Sequence, residues 1–378
     1  MVLDSLRGVC ACMVVLLHFT TQGHISALPV VRNGFLFVDF FFVLSGFVIG
    51  SSYGQRLAEG YSIKHFMWLR LGRVYPLHFF VLMMFLGFEI TFSLFMNDMA
   101  DRKPFEGIYS PTILSYSLLL VQIFFGPDAT PWNGPSWSIA AEVWTYLIFG
   151  FLLRYVFRFA IPICLAIIVV ASIVLSQLTD RYIAVFHDGA LLRCIFGFSF
   201  GIIGWRLADW VGRLRFGRWG DHVVELAVAL GVVVFVWFAG AGPLSLAAPL
   251  MFFLAVLVFS REAGVVSRLL KCAPFILVGA LSYSIYMIHG FLLYRFVNGL
   301  SLVERFTALD LVQSADGHNS VGGGALFGDM MSILFLAIVI CASWFSYRFI
   351  ELPGQRFVRR WPEKKSVSDS LRVVPGAP

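Results

Sequence analysis

The chain has 378 residues, of which 59% are hydrophobic and only 13% are charged. Soluble globular domains carry about 25% charged residues, so this composition excludes a soluble protein and indicates a polytopic membrane protein. In such a protein a net charge of +6 reflects basic cytoplasmic loops, and we expect no nucleic acid partner. The six cysteines show no metal-ligand or disulfide spacing, so we interpret them as packing residues and expect no metal.

Ten apolar segments are long enough to span a bilayer as α-helices: 3–21, 34–52, 74–96, 137–156, 160–178, 189–206, 223–240, 243–260, 274–295 and 328–349. The first lacks a basic region before it and a clean cleavage site after it, so we predict a retained span. An eleventh run, ILSYSLLLVQIFF at 113–125, is too short to cross and predicts an interfacial or re-entrant segment. The sequence therefore predicts an all-α helical bundle.

The distribution of positive charge orients these spans. With the N-terminus in the cytoplasm and 113–125 not crossing, 21 of the 28 lysines and arginines lie on the cytoplasmic side. Both termini are therefore predicted to be cytoplasmic, in an inner (plasma) membrane. We expect one transmembrane domain over 1–361, followed by a polar, disordered tail over 362–378.

The first span carries two ionisable residues, Arg7 and His18. They are eleven residues apart, which places them on one helix face and about 16 Å apart along the axis. Arg7 has a simple interpretation as an anchor that extends to the interface, and His18 as a hydrogen-bonded packing residue. Ionisable residues inside a membrane are costly, however, and they often mark functional sites.

Further ionisable residues fall at a similar predicted depth, near the outer ends of their spans. They are Asp39, Glu142, Arg193 and His289. Several such groups at a common level predict a polar cavity in which they are partners of one another.

Arg70 and Arg73 stand at positions i and i+3, on one face at the cytoplasmic mouth of the third span. As an isolated pair they fit the positive-inside anchors of many membrane proteins. Alternatively they form a clamp for phosphate groups, which suit the fork geometry of arginine.

Together these segments resemble the acyltransferase-3 family of bacterial membrane proteins, which O-acylate carbohydrates. Six motifs match in order over nearly the whole chain: RGVCACMVVLLH at 7–18, VDFFFVLSGFVI at 38–49, RLGRVYP at 70–76, WSIAAEVWTY at 137–146, LSYSIYMIH at 281–289 and FIELP at 349–353. The resemblance implies ten spans, a cytoplasmic acyl-CoA donor and an extracytoplasmic carbohydrate acceptor. Acetyl-CoA is the expected donor, with no permanently bound cofactor.

Acyl transfer from a thioester needs a base for the acceptor hydroxyl, and His18 is the predicted base. A carboxylate is expected to fix its tautomer. Asp39 is favoured over Glu142 because the first two helices are expected to pack together. Arg7, Arg70 and Arg73 are predicted to hold the donor phosphates.

The remaining predicted site residues serve the two substrates. Ser45, beside Gly46, allows the close helix approach that would open a slot for the pantetheine arm. Trp137, with Trp132 and Trp144, either stacks on sugars or belongs to the aromatic belt at the membrane interface. Arg193 and His289 are predicted to line the acceptor side.

Two other classes of function fit many of the same features. A transporter or flippase for a glycan or lipid-linked intermediate also has charges near the middle of its helices, although the chain lacks an inverted repeat. A catalytically inactive scaffold for polysaccharide assembly is the third interpretation. Homo-oligomerisation, or association with polysaccharide-assembly proteins, is a further expectation.

Overall fold

The computed structural model describes residues 1–95, 103–126, 132–214, 217–307, 310–315 and 318–360. The tail that we predict over 362–378 lies outside the described residues. Within them, the helices are α1 Val2–His18, α2 His24–Ala27, α3 Pro29–Arg32, α4 Phe37–Ile49, α5 Gln55–Ala58, α6 Ile63–Phe95, α7 Pro111–Leu118, α8 Gln122–Phe125, α9 Ser136–Tyr155, α10 Ala160–Leu178, α11 Ala190–Arg213, α12 Gly217–Ala239, α13 Ala248–Phe259, α14 Val265–Leu270, α15 Ala273–Phe306, α16 Ala325–Ser346 and α17 Leu352–Arg359.

The predicted all-α membrane bundle is confirmed. Eight helical segments in the described residues are long and apolar enough to cross a membrane: Gly34–Ala58, Ile63–Phe95, Ser136–Tyr155, Phe157–Leu178, Ala190–Arg213, Trp219–Ala239, Ala273–Phe306 and Ala325–Arg359. The shorter apolar segment Pro243–Phe259 and the 17-residue α1 account for the other two predicted spans. At about 1.5 Å per residue, each of these two is roughly 25 Å long.

The apolar run at 113–125 forms two short helices, α7 and α8, neither of which is long enough to span. Side chains of longer helices hold the turn between them. Tyr75 of α6 donates its hydroxyl to the Leu118 carbonyl at 3.1 Å, and the Trp144 indole of α9 donates to the Leu120 carbonyl at 2.9 Å. The prediction of a short additional segment is therefore confirmed.

A small antiparallel hairpin is the only sheet in the described residues. Strands β1 Val312–Ala315 and β2 His318–Val321 pair with Val312 opposite Val321. Val321 also bridges to Thr21, just after α1. The hairpin therefore links the loop before α16 to the end of α1 that carries His18.

Helices α1 and α15 run parallel in very close contact, and glycines make this approach feasible. A Cβ atom on Gly8 would lie 2.4 Å from the Val278 carbonyl carbon, and one on Gly279 would lie 2.7 Å from the Asp4 carbonyl oxygen. Small residues at such crossings allow helix backbones to pack directly in membranes. This contact fixes the register between the two helices.

A second glycine contact joins α4 to α11. A Cβ on Gly46 would lie 2.2 Å from the Phe198 carbonyl oxygen, and one on Gly201 would lie 2.1 Å from the Val43 carbonyl oxygen. The close approach that we predict at Gly46 is therefore present, and its partner is α11. The contact sets Asp39, two turns before Gly46 on α4, opposite Arg193.

We predict that Gly8→Ala destabilises the protein, because the added methyl group would overlap backbone atoms of α15. Overpacking of this kind costs about 1–3 kcal/mol. Gly87→Ala in α6 is the matched control, because a Cβ there would have open space around it. Thermal unfolding of the purified variants in detergent measures the difference. Equal melting temperatures for the two variants would contradict the role given to Gly8.

Candidate active site

One polar cavity lies between α1, α4, α6, α9 and α15, and it collects the predicted donor-site residues. We call it the arginine cavity; its volume is about 90 Å³. Its polar lining consists of Arg7, Ser45, Arg70, Arg73, Ser138, Glu142, Tyr146, Ser282, Tyr283 and Tyr286. The three arginines that the sequence assigns to phosphate binding therefore converge on one space, although Arg7 is more than sixty residues from the others.

The three arginines are held differently. Arg7 donates from Nε to Ser282 Oγ at 2.7 Å and faces the exposed Asp4 carboxylate at 3.5 Å. Arg70 donates to the Tyr53 hydroxyl at 2.9 Å, with its guanidinium 4.7 Å from the centre of that ring. Arg73 has no hydrogen bond or ion pair with any described residue. The guanidinium of Arg73 is thus available to an anionic ligand in the arginine cavity.

Glu142 contributes a carboxylate to the same cavity. It accepts a very short hydrogen bond from Ser45 Oγ and a second, of 2.5 Å, from the Tyr146 hydroxyl. These contacts join α4 to α9. Ser45 therefore helps to orient Glu142 as well as lining the cavity.

A second cavity, which we call the histidine cavity, has a volume of about 170 Å³. It lies toward the other ends of α1 and α15. Its lining consists of Val14, Leu17, His18, Phe35, Val38, Gly134, Pro135, Trp137, Phe186, Tyr286, His289, Gly290, Leu293 and Tyr294. His18, His289 and Trp137 thus share one space, as we expect for an acceptor site.

The orientation of His18 follows from its contacts. Its Nδ1 lies 2.8 Å from the Val14 carbonyl oxygen, and a carbonyl can only accept a hydrogen bond, so Nδ1 carries a proton. The neutral ring then has its lone pair on Nε2, and the side chain is exposed to the cavity. His289 Nε2 lies 3.3 Å from His18 Nδ1, while His289 Nδ1 contacts the Tyr286 carbonyl at 2.7 Å. His18 is therefore oriented as a base would be.

These contacts correct the expected partner of His18. Neither Asp39 nor Glu142 hydrogen-bonds to it in the described residues; the backbone carbonyl one turn earlier in α1 holds the ring instead. Packing of the first two helices against each other does not bring Asp39 to His18, because Asp39 pairs with Arg193 of α11 instead.

Asp39 and Arg193 form a buried ion pair in which both side chains are 0% exposed. Arg193 donates from Nε and Nη2 to the two carboxylate oxygens at 3.0 and 2.7 Å. It also donates to the Phe35 and Val185 carbonyls at 2.8 and 3.3 Å. Neither residue lines the two cavities. The pair therefore supports Trp137 from outside the histidine cavity: the Arg193 guanidinium lies 5.4 Å from the centre of the Trp137 ring.

The three tryptophans occupy different environments. Trp137 is 9% exposed and lines the histidine cavity. Trp132 is fully buried and donates to the Ser110 carbonyl, while Trp144 donates to Leu120. Of the three, Trp137 is therefore the one placed to contact a ligand.

The five ionisable residues that we expect to share one polar cavity are thus separated: Asp39 and Arg193 form a buried ion pair, Glu142 lines the arginine cavity, and His18 and His289 line the histidine cavity. Ser282 and Tyr286, in the segment LSYSIYMIH, belong to the lining but were not assigned from the sequence. Glu351 in FIELP was not assigned either, and it lies outside both linings. Glu351 is 5% exposed and accepts from Ser284 Oγ at 2.7 Å. The sequence does carry a signal for these residues, because polar side chains inside apolar spans are energetically costly unless they have partners.

Comparison with known proteins gives the family. A family model described as an acyltransferase domain matches residues 2–348. The chain belongs to this acyltransferase-3 family. It is therefore a multi-pass membrane acyltransferase, and the transporter and scaffold interpretations lose their support.

Two curated relatives are consistent with this family. Acyltransferase MdmB from Streptomyces mycarofaciens is 26% identical over 382 aligned positions, covering 91% of this chain and 84% of that protein. A protein named "Protein 2 in picA locus", from Rhizobium radiobacter, is 29% identical over 152 residues, covering 37% of this chain and 75% of its own length. No solved structure gave a significant match.

We predict that Asp39→Ala destabilises the acyltransferase by about 3–5 kcal/mol, because it leaves the Arg193 guanidinium buried without a counter-ion. The melting temperature in detergent measures this loss. Replacing both partners, Asp39→Leu with Arg193→Leu, removes the unpaired charge and should recover much of the melting temperature. If Asp39 instead served the reaction directly, Asp39→Ala would be inactive but as stable as the wild type.

Proposed function

We propose that the protein transfers an acyl group, with acetyl as the expected case, from cytoplasmic acyl-CoA to a hydroxyl of an extracytoplasmic carbohydrate. The observation that carries the proposal is the arrangement along α1. Arg7 opens into the arginine cavity, and His18, with Nε2 free, opens into the histidine cavity. Residues 1–361 act as one catalytic unit in this proposal.

The arginine cavity is the proposed donor site. CoA carries a pyrophosphate and a further phosphate, and arginine recognises phosphate oxygens with fixed fork geometry. Arg73 supports the assignment most strongly, since its guanidinium forms no hydrogen bond or ion pair with a described residue. The cavity is too small for a whole CoA, so the nucleotide would lie at its mouth and the pantetheine arm within it. The positive charge on this side of the protein also favours a cytoplasmic location for the mouth of the arginine cavity.

The histidine cavity is the proposed acceptor site. His18 Nε2 takes the proton of the acceptor hydroxyl as the hydroxyl oxygen attacks the thioester carbonyl. The carbon–sulfur bond then breaks, and the imidazolium returns the proton to the CoA thiolate. Trp137 offers an aromatic face of the kind that packs on sugar rings, and Arg193 and Asp39 hold that face in place.

We predict that His18→Ala lowers acyl transfer by a factor of about 10² to 10⁴, the usual effect of losing a general base. Acyl-CoA binding and the melting temperature should stay near wild-type values, because the side chain is exposed to the cavity. Radiolabelled acyl transfer to a carbohydrate acceptor and acyl-CoA binding are measured on the same preparations.

His289→Ala is the matched control for His18. It removes a second imidazole from the same cavity, but one whose Nδ1 and Nε2 both contact protein atoms. We expect a smaller loss of rate from it. A folded His18→Ala variant that keeps more than about a tenth of the wild-type rate would place the base elsewhere.

We predict that Arg73→Ala weakens acyl-CoA binding by about tenfold or more without loss of stability, because a charged hydrogen bond to phosphate is worth about 1.5–3 kcal/mol. Calorimetric titration with a non-hydrolysable acyl-CoA analogue gives the dissociation constant. Arg158→Ala, which removes an exposed arginine outside the arginine cavity, is the control. Equal affinities for the two variants would remove Arg73 from the donor site.

A further inference from the structure

Among the described residues, Tyr286 is the one that lines both the arginine cavity and the histidine cavity. Its side chain lies in α15, one turn before His289, and it is only 4% exposed. The proposed donor and the proposed base are therefore on opposite sides of a single phenol ring.

One hydrogen bond and two ring contacts define the position of the Tyr286 side chain. The Tyr286 hydroxyl lies 2.7 Å from Ser138 Oγ. Because Ser138 donates its own proton to the Pro135 carbonyl at 3.1 Å, the tyrosine is the donor to Ser138. The edge of the ring meets Phe41 with centroids 5.6 Å apart, and the other side meets His289 at 5.9 Å. The Tyr286 ring therefore separates the two cavities, and a side-chain rotation that breaks the Ser138 contact is the movement that would connect them.

Transfer requires such a connection. A thioester that enters from the arginine cavity must pass Tyr286 before its carbonyl can approach His18 Nε2. When the passage is closed, water in the histidine cavity is kept from a thioester on the other side. An enzyme that transfers an acyl group to an alcohol must exclude competing hydrolysis by water.

We propose that Tyr286, held by Ser138, is the gate between the donor and acceptor cavities and determines the selectivity of the enzyme for transfer over hydrolysis. This role rests on the proposed function, because it takes the two cavities as the donor and acceptor sites. Tyr286 acts by controlling access, and no proton transfer is assigned to it.

The first test measures access alone and is independent of the reaction. Val48→Cys replaces a valine of the arginine cavity with a cysteine of similar size. Membrane vesicles of either orientation are then treated with a charged, impermeant methanethiosulfonate reagent. We expect the thiol to react from one face of the membrane only. Adding Tyr286→Ala should make it react from both faces. Each variant without Val48→Cys gives the background from the native cysteines.

Tyr75→Ala combined with Val48→Cys is the matched control. It removes a partly buried tyrosine that lines neither cavity and donates to the Leu118 carbonyl. We expect labelling from one face only. Labelling from both faces with Tyr286 intact, or from one face with a folded Tyr286→Ala protein, would overturn the gate. If Tyr286→Ala does not fold, Tyr286→Leu serves the same test.

The second test measures selectivity. In Tyr286→Ala, we expect acyl-CoA hydrolysis without acceptor to rise at least tenfold relative to wild type, while the ratio of transfer to hydrolysis falls. In the hydrolytic step, water replaces the acceptor hydroxyl, giving a carboxylate and free CoA thiol. Tyr286→Phe and Ser138→Ala, which lose only the hydrogen bond, should give smaller increases. An unchanged ratio in all three variants would overturn the selectivity role.

The two tests separate the gate from the function on which it rests. If wild-type protein neither binds nor turns over acyl-CoA, the proposed donor is wrong, and labelling from both faces in Tyr286→Ala would still establish a passage between the cavities. If acyl-CoA is turned over but labelling does not depend on Tyr286, the proposed function stands and the gate is wrong.

Discussion

The direct packing of α1 against α15 is the constraint on which the active site depends. Gly8 and Gly279 let the two backbones meet without intervening side chains. Because the helices run parallel, His18 and His289, each ten residues further along, arrive at the same level and come within 3.3 Å. A side chain at either glycine would separate the helices along this length. The contact therefore brings together the two histidines of the histidine cavity.

The ionisable side chains inside the bundle fall into two physical classes. Asp39 and Arg193 are fully buried and satisfy each other, as a charge in a medium of low dielectric constant must be satisfied. Arg73, by contrast, remains partly exposed in a cavity and forms no hydrogen bond or ion pair with a described residue. The first class stabilises the arrangement of α4 and α11, and the second leaves charge available to a ligand. Both burial and hydrogen-bond partners distinguish the two classes.

The two cavities suit the proposed transfer of an acyl group across the membrane. The proposed donor, acyl-CoA, is anionic and large, whereas the proposed acceptor is neutral and hydroxylated, so the two substrates favour different surroundings. Arginines surround one cavity, while an imidazole and an indole face the other. Only the thioester end of the donor must reach the second cavity, and a narrow passage closed by one aromatic ring suits a slender arm better than a whole nucleotide.

The sequence by itself determined the membrane class, the spans and the short segment at 113–125, because apolar length and composition are local properties of the chain. Resemblance in six ordered motifs also identified the family, which the family model over residues 2–348 confirms. Only the tertiary structure decided the partners: Asp39 with Arg193, 154 residues apart, and Ser45 with Glu142, 97 apart. Such pairs depend on which helices approach closely, and glycine contacts between distant segments control that approach. Depth along a helix can be counted from the sequence, but the direction in which a side chain meets its neighbours requires the packed bundle.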